Sequence, residues 1–394
     1  MPVTELERRV RAFQARLQKE GIALSVIRQN ADLFYFSGTV QDAHLLIPAS
    51  SQPVMLVWRS VARARNECPH LLVKNLPGFS SLPRLCRELG ISYGACRIGL
   101  ELDILPASLF MLYSNKIWPQ AELVDVSAMI REMRMIKTPW EVGCIEQACA
   151  MADHAIDQVQ GVLRPGITEL QLAAAIEAVM RANGHPGLLR MRAWNQEIGM
   201  GQVVSGSAAL QPSWTNTPVG GLGPSPAFGM GASHRILEKG DIVSVDLGGW
   251  HNGYCSDETR PFSVGPPDRT VHSSFELVLE IMEEMEEMLR PGVIAEELYD
   301  KAVEMAARAG VADRFMGLAP EQVSFVGHGL GLELDEYPFI SKNSSMVIQP
   351  GMVVALEPKI FLEDKGVVGL EDTFLITDNR CRRLTLSSRR LIEA

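Results

Sequence analysis

The tetrapeptide Leu-Arg-Pro-Gly occurs twice in this 394-residue chain, at residues 163–166 and again at 289–292, a displacement of 126. Each copy follows one amphipathic stretch and precedes another that ends at a glycine, Gly184 or Gly310. The glycine-to-glycine distance is 18 in both copies. Four matched residues alone carry little weight, but a matched helix–turn–helix frame predicts two structurally related halves. That single feature excludes most architectures for the region that contains it.

The preceding third has a different texture. Residues 23–28, 33–37, 44–47, 54–58, 71–74 and 97–102 read as short strands, residues 61–67 and 80–89 as helices, with turns at Gly38-Thr39 and 50–53. A mixed α/β domain over residues 1–127 is predicted. A helical stretch, 127–136, leads to Thr138-Pro139-Trp140-Glu141, where a hydroxyl cap, a first-turn proline and a glutamate three residues on predict a helix running towards Val159. The second domain is therefore expected over 128–394. Within it, residues 195–233 are rich in glycine and proline; so long a connection is expected to form a lid or a substrate wall. Leu277, Ile281, Met285 and Met288 share one helical face and are expected to be core.

Composition narrows the function. With 46% hydrophobic and 21% charged residues, the chain is globular rather than disordered. Thirty-seven basic residues against 47 acidic ones, a net charge of −10, argue against a nucleic-acid partner. No apolar run approaches the roughly 18 residues that cross a bilayer, so no membrane partner is expected. The seven cysteines are odd in number, scattered and without C-x-x-C, which suits free thiols in a reducing, cytoplasmic compartment.

The chemistry lies in acids placed where acids are out of character. Asp246 interrupts the apolar run 242–247, and Glu357 the run 353–358. Asn252-Gly253 between two β-runs predicts a hairpin joining 241–249 to 254–264. The numbers of Asp246 and Asp257 add to an odd total, as do those of partners across a two-residue loop, so both carboxylates face one side. With His251-Asn252 as the loop they are directly opposite; with Asn252-Gly253 they are diagonal neighbours. A second hairpin, 352–358 with 367–377 around Asp364-Lys365-Gly366, carries Glu357 and Glu371; their even total requires an odd loop or a bulge for a shared face. Like charges so close destabilise a sheet unless a cation lies between them. His328, flanked by Gly327 and Gly329, adds one uncrowded imidazole. Four carboxylates and one imidazole suit two divalent ions that activate water. No G-x-S-x-G, H-E-x-x-H or Walker pattern competes.

Asp246, Asp257, Gly327-His328-Gly329, Glu357-Pro358 and Glu371-Asp372-Thr373 together resemble the pita-bread metallopeptidases, in the branch of prolidase and aminopeptidase P. Residues 30–39 and 98–106 resemble the amino-terminal domain of that branch, and 133–141 its passage into the catalytic domain. The resemblance implies an α/β (α+β) fold: a creatinase-type amino-terminal domain followed by a pseudo-twofold catalytic domain. It implies that Asp246 holds one metal, Asp257 and Glu371 bridge the pair, and His328 and Glu357 complete the second. Glu357 would also accept the proton of the attacking water. Manganese, cobalt, zinc or iron would serve, and a homodimer is implied. The substrate-contact positions differ from the pattern: Asp335 stands where a second histidine is usual, Gly369 where an arginine is common, and only His234 is available as the upstream histidine.

The activity expected is metal-dependent hydrolysis of short peptides near the amino terminus, of the Xaa-Pro type. Two alternatives are a metal-dependent hydrolase or lyase of a non-peptide small molecule, suggested by Asp335 and Gly369, and a catalytically silent binding module.

Overall fold

Leu6, Val10, Phe13 and Leu17 recur at helical spacing and are buried on one side of the helix Val3–Lys19. With it begins the first of two units, Met1–Met133 and Arg134–Ala394, in a computed structural model that describes residues 1–91 and 95–394. The first unit is a six-stranded mixed sheet in the order Leu72–Asn75, Val54–Val57, Ala43–Pro48, Ile22–Ile27, Arg97–Leu100, Glu122–Asp125. The helices Val61–Glu67 and Leu82–Glu88 fall where the sequence places them.

The strand expected at 33–37 is a helix, Asn30–Ser37. Its residues are buried on nearly every side (Ala31, Asp32, Leu33, Tyr35, Phe36, Ser37), which erases the 3.6-residue polar stripe and leaves an aromatic run that imitates a strand. The local signals are its ends. The Gln29 side chain accepts from Asp32 N at 2.9 Å, and Gly38, at φ 77°, closes the last turn in the left-handed region.

The second unit contains the repeat. Thr138 and Glu141 form the expected capping box at the start of the helix Pro139–Val162, and Thr168 with Gln171 forms another. The helices after the two Leu-Arg-Pro-Gly turns, Glu169–Ala182 and Ala295–Arg308, are each 14 residues long, and both their ends are displaced by 126, the same interval as the motif. Each helix pair is followed by three antiparallel strands in the same order: Gly201–Ser205, Ile242–Leu247, Glu258–Ser263 in the first half, and Phe325–Gly329, Val353–Leu356, Asp372–Ile376 in the second. The pseudo-twofold relation is thus present in the topology as well as in the motif.

In each half the central strand is joined to the next by a small inserted hairpin, and this decides where the acids lie. In the first half, His251 pairs with Tyr254 across Asn252-Gly253, both with positive φ (49° and 92°), and Asp246 pairs with Thr259. Asp246 and Asp257 are therefore the diagonal neighbours of the Asn252-Gly253 register. In the second half, Leu362 pairs with Gly366 across three residues, 363–365, which is the odd loop required. The ladder pairing Leu356 with Asp372 and that pairing Lys359 with Gly369 keep one register, so Glu357 falls opposite Glu371. A bridge between Thr259 and Glu371 joins the two sheets at the point where the acids meet.

Candidate active site

Asp246 lies on the central strand of one half and Glu357 just beyond the central strand of the other. Asp257 and Glu371 immediately precede the equivalent third strands. The pairs occupy corresponding places in the two halves, so the pseudo-twofold axis brings four carboxylates together. His328 Nε2 lies 3.7 Å from Asp257 Oδ2, 3.7 Å from Glu357 Oε1 and 3.9 Å from Glu371 Oε1. These separations are too long for direct hydrogen bonds and leave a space bounded by one nitrogen and three oxygens.

Threonines two residues after the paired acids fix the backbone by crossing between halves. Thr259 Oγ1 donates to Glu371 Oε2 at 2.8 Å, while Thr373 Oγ1 accepts from Asp257 N at 3.0 Å and donates to Asp257 O at 2.8 Å. Beneath them the buried Arg260 holds Glu258 at 2.9 Å, Asp372 at 2.6 Å and the carbonyl of Glu371 at 2.7 Å. Burial pushes the Glu258 carboxyl up to about 8, with Arg260 opposing.

The electrostatics of the ion-free cluster are those of crowded charge. Burial, reinforced by Glu371 and relieved in part by Lys359, pushes Asp246 up to about 6. Burial pushes Glu357 up to about 7, with Lys359 opposing. Asp257 is raised well above the carboxylate range by burial and by Glu371, Asp246 and Glu357. Burial works to lower His328, but Asp335, Glu357 and Glu371 outweigh it.

The donor set fits a divalent cation. Asp257, His328 and Glu371 each offer a ligand atom, all within 4.8 Å of one another. Glu371 Oε1 is buried and has no hydrogen-bond partner. Two acceptors, Gly329 O at 3.1 Å and Asp335 Oδ1 at 3.4 Å, face His328 Nδ1, so the ring proton belongs there and the Nε2 lone pair faces the carboxylates.

All five sequence-derived ligand candidates line one cleft. Asp335 lines it too. Part of the glycine- and proline-rich connection, including Gln196, Thr215, Asn216, Pro218 and Met230, forms its wall. His234 lies exposed and outside this lining. Gly369 is buried behind it, where an added Cβ would stand 2.5 Å from Lys359 Cγ.

Lys359 is the residue that sequence reasoning missed. Its side chain is 1% exposed, and its ammonium lies 2.6 Å from Glu357 Oε2, 2.9 Å from Glu371 Oε2 and 3.7 Å from Asp246 Oδ2. Burial opposes its charge, yet those three carboxylates hold its pKa well above the ordinary lysine value. Two signals pointed to it: it follows Glu357 by two positions, hence on the same face of extended chain, and its cross-strand partner is a glycine. Also missed was the clamp on the loop after His328. Glu336 accepts from Leu332 N at 2.8 Å and Glu333 N at 3.2 Å and pairs with Arg134 and Lys137, while Glu333 pairs with Arg134 at 2.8 Å.

The sequence model of metallopeptidase family M24 matches residues 143–378, and that of the creatinase/prolidase N-terminal domain matches residues 9–136. The chain is 33% identical to an Xaa-Pro dipeptidase of Pyrococcus furiosus over 93% of its own length and 94% of the relative's. It is 30% identical to an Xaa-Pro dipeptidase of Pyrococcus horikoshii, over 95% and 96%. Among solved structures, the prolidase of Pyrococcus horikoshii superposes with a TM-score of 0.83 at 28% identity, covering 98% of this chain and 100% of that one. A dipeptidase of Mycobacterium ulcerans superposes with a TM-score of 0.82 at 26% identity, over 100% and 99%.

Proposed function

The chain belongs to metallopeptidase family M24 and is a metal-dependent peptidase, and we propose that it cleaves short peptides near their amino terminus, with Xaa-Pro bonds as its substrate class. The observation that carries this reading is the convergence of Asp246, Asp257, His328, Glu357 and Glu371 on one cleft, with Glu371 Oε1 orphaned. Asp257, His328, Glu357 and Glu371 would hold a divalent ion, and Asp246 would contribute to a second position; two ions is the number implied by the resemblance to prolidase. Manganese, cobalt, zinc and iron all suit this oxygen-rich set with one imidazole.

A divalent ion there supplies Lewis acidity, polarising the scissile carbonyl and lowering the pKa of water. Glu357 accepts the proton of the attacking water and delivers it to the departing amine. Asp335, beside His328 Nδ1, fixes the imidazole tautomer and stands 37% exposed at the cleft.

Among the described residues that line the cleft none is lysine or arginine, whereas Glu197 and Asp335 are both present. A free substrate carboxylate meets no side-chain cation there, while a substrate ammonium meets acids. We therefore propose aminopeptidase action on peptides longer than two residues in preference to dipeptidase action. The test is a panel of Xaa-Pro dipeptides, their carboxy-terminal amides and Xaa-Pro tripeptides, each assayed with the metal-loaded enzyme and with chelator. Chelator-sensitive hydrolysis that is faster on amides and tripeptides is expected. No hydrolysis across the panel overturns the peptidase specificity, and turnover of a non-peptide amide or thioether in its place would establish the small-molecule reading.

The seven cysteines are all unpaired, which supports a cytoplasmic location. Among the described residues no helix is long and apolar enough to cross a membrane. A homodimer is proposed from the prolidase resemblance; sedimentation or light scattering gives its mass.

A further inference from the structure

Charge divides the acid cluster into two sides. Glu357 and Glu371 each turn Oε1 towards His328 Nε2 and Oε2 towards Lys359 Nζ. Asp257 Oδ2 lies on the histidine side, at 3.7 Å, and Asp246 Oδ2 on the lysine side, also at 3.7 Å. We propose that the Lys359 ammonium takes the place of a second metal ion, so that this centre holds a single divalent cation, on the His328 side. The inference rests on the metal-dependent reading above and replaces the second ion that the prolidase resemblance implies.

Valence supports it first. Glu371 Oε2 already accepts from Thr259 Oγ1 at 2.8 Å and from Lys359 Nζ at 2.9 Å, which engages both of its lone pairs, while Oε1 of the same carboxylate has no partner. One oxygen is spoken for and the other waits.

Charge gives the second argument. Ionised, as metal ligands must be, the four carboxylates sum to −4. One ammonium and one divalent ion leave −1; adding a second divalent ion gives +1 and places like charges together. Metal–carboxylate bonds are about 2.0–2.2 Å long, so an ion on Glu371 Oε2 would sit no more than about 5 Å from the ammonium, in a buried site where such repulsion is poorly screened.

Nor does Lys359 have somewhere else to go. It is fully enclosed, it is absent from the cleft lining, and it reaches the acids from behind. Its stem runs over Gly369, its cross-strand partner, where any side chain would collide with it. The two residues form a matched pair: a cation delivered from one strand and the clearance for it on the next.

The experiment is a count of ions. Wild-type protein is saturated with Mn(II), freed of excess, and its metal-to-protein ratio measured by native mass spectrometry and elemental analysis; paired ions are sought by the exchange-coupled electron paramagnetic resonance signal. About one ion per chain is expected, without coupling, against about two for a paired centre with its ions roughly 3.5–4 Å apart. Lys359→Ala should raise the ratio towards two and introduce the coupled signal, and Lys359→Arg should hold it at one. Two coupled ions in the wild type, or a ratio unchanged in Lys359→Ala, would overturn the inference while leaving the peptidase reading intact. No ion at saturating supply would overturn both. If Lys359→Ala does not fold, the wild-type count still decides.

Discussion

Replacing Glu336 by glutamine tests how the loop carrying His328 and Asp335 is held. Glu336 is 5% exposed and binds Arg134, Lys137 and two backbone N–H groups of that loop. Burial alone would raise its pKa, but Arg134 and Lys137 outweigh it and bring the carboxyl from 4.5 down to about 2. The native carboxylate thus stays ionised to about pH 2, while the unfolded one takes up a proton near 4.5. Between those values the unfolded state binds more protons, so the stabilisation is complete above pH 4.5 and is lost as pH falls towards 2. A shift of this size corresponds to about 3 kcal/mol at neutral pH. With roughly 2–4 °C per kcal/mol for domains of this class, Glu336→Gln should lower the melting temperature at pH 7 on the order of 10 °C. The gap to wild type should narrow steadily as pH falls below 4.5, by more than half at about pH 3, and close only near pH 2, where the folded glutamate itself is protonated and presents the same neutral group to Arg134 as a glutamine. Differential scanning calorimetry across that range, with both proteins in chelator, gives the two curves. A gap that stays constant between pH 7 and pH 3, or is absent at pH 7, would refute the argument.

Asp257→Asn removes a charge that faces both His328 and the other acids; peptidase activity should fall by about 100-fold or more, the scale of losing direct transition-state charge stabilisation, as steady-state kinetics would report. Exhaustive chelation should lower the melting temperature, since crowded carboxylates then face only Lys359; a free ion at about 100 times its Kd contributes about 3 kcal/mol, and the shift should be reversed by re-addition. Gly369→Ala drives a methyl into the Lys359 stem, 2.5 Å from Cγ, and should cost about 1–3 kcal/mol by chemical denaturation. Most of that loss should vanish in the double variant with Lys359→Ala, since the two positions share one contact.

Three of the five ligand candidates were legible because they break a local rule, Asp246 and Glu357 as acids in apolar strands and His328 as a histidine between glycines, while Asp257 and Glu371 were reached through their hairpin partners and the family pattern. Parity along an extended chain even assigned their faces, and Asn252-Gly253 and the three-residue loop at 363–365 supplied the registers those faces needed. The helix Asn30–Ser37 was not legible, since complete burial removes the polar side that periodicity relies on. His234 was named only as the one upstream histidine available, and it lies exposed and outside the cleft lining, because a residue type at an approximate distance says nothing about direction.

What the linear chain by itself determined is local or periodic: the doubled helix–turn–helix, the capping box at Thr138, and the acids confined to particular strand faces. Only the tertiary structure decided what those acids face. Lys359 stands two residues from Glu357, yet its charge matters through Glu371 and Asp246, which come from other strands. Arg134 reaches Glu333 and Glu336 across some 200 residues. Electrostatic energy depends on separation in space and on exclusion of water, and neither can be counted along a sequence.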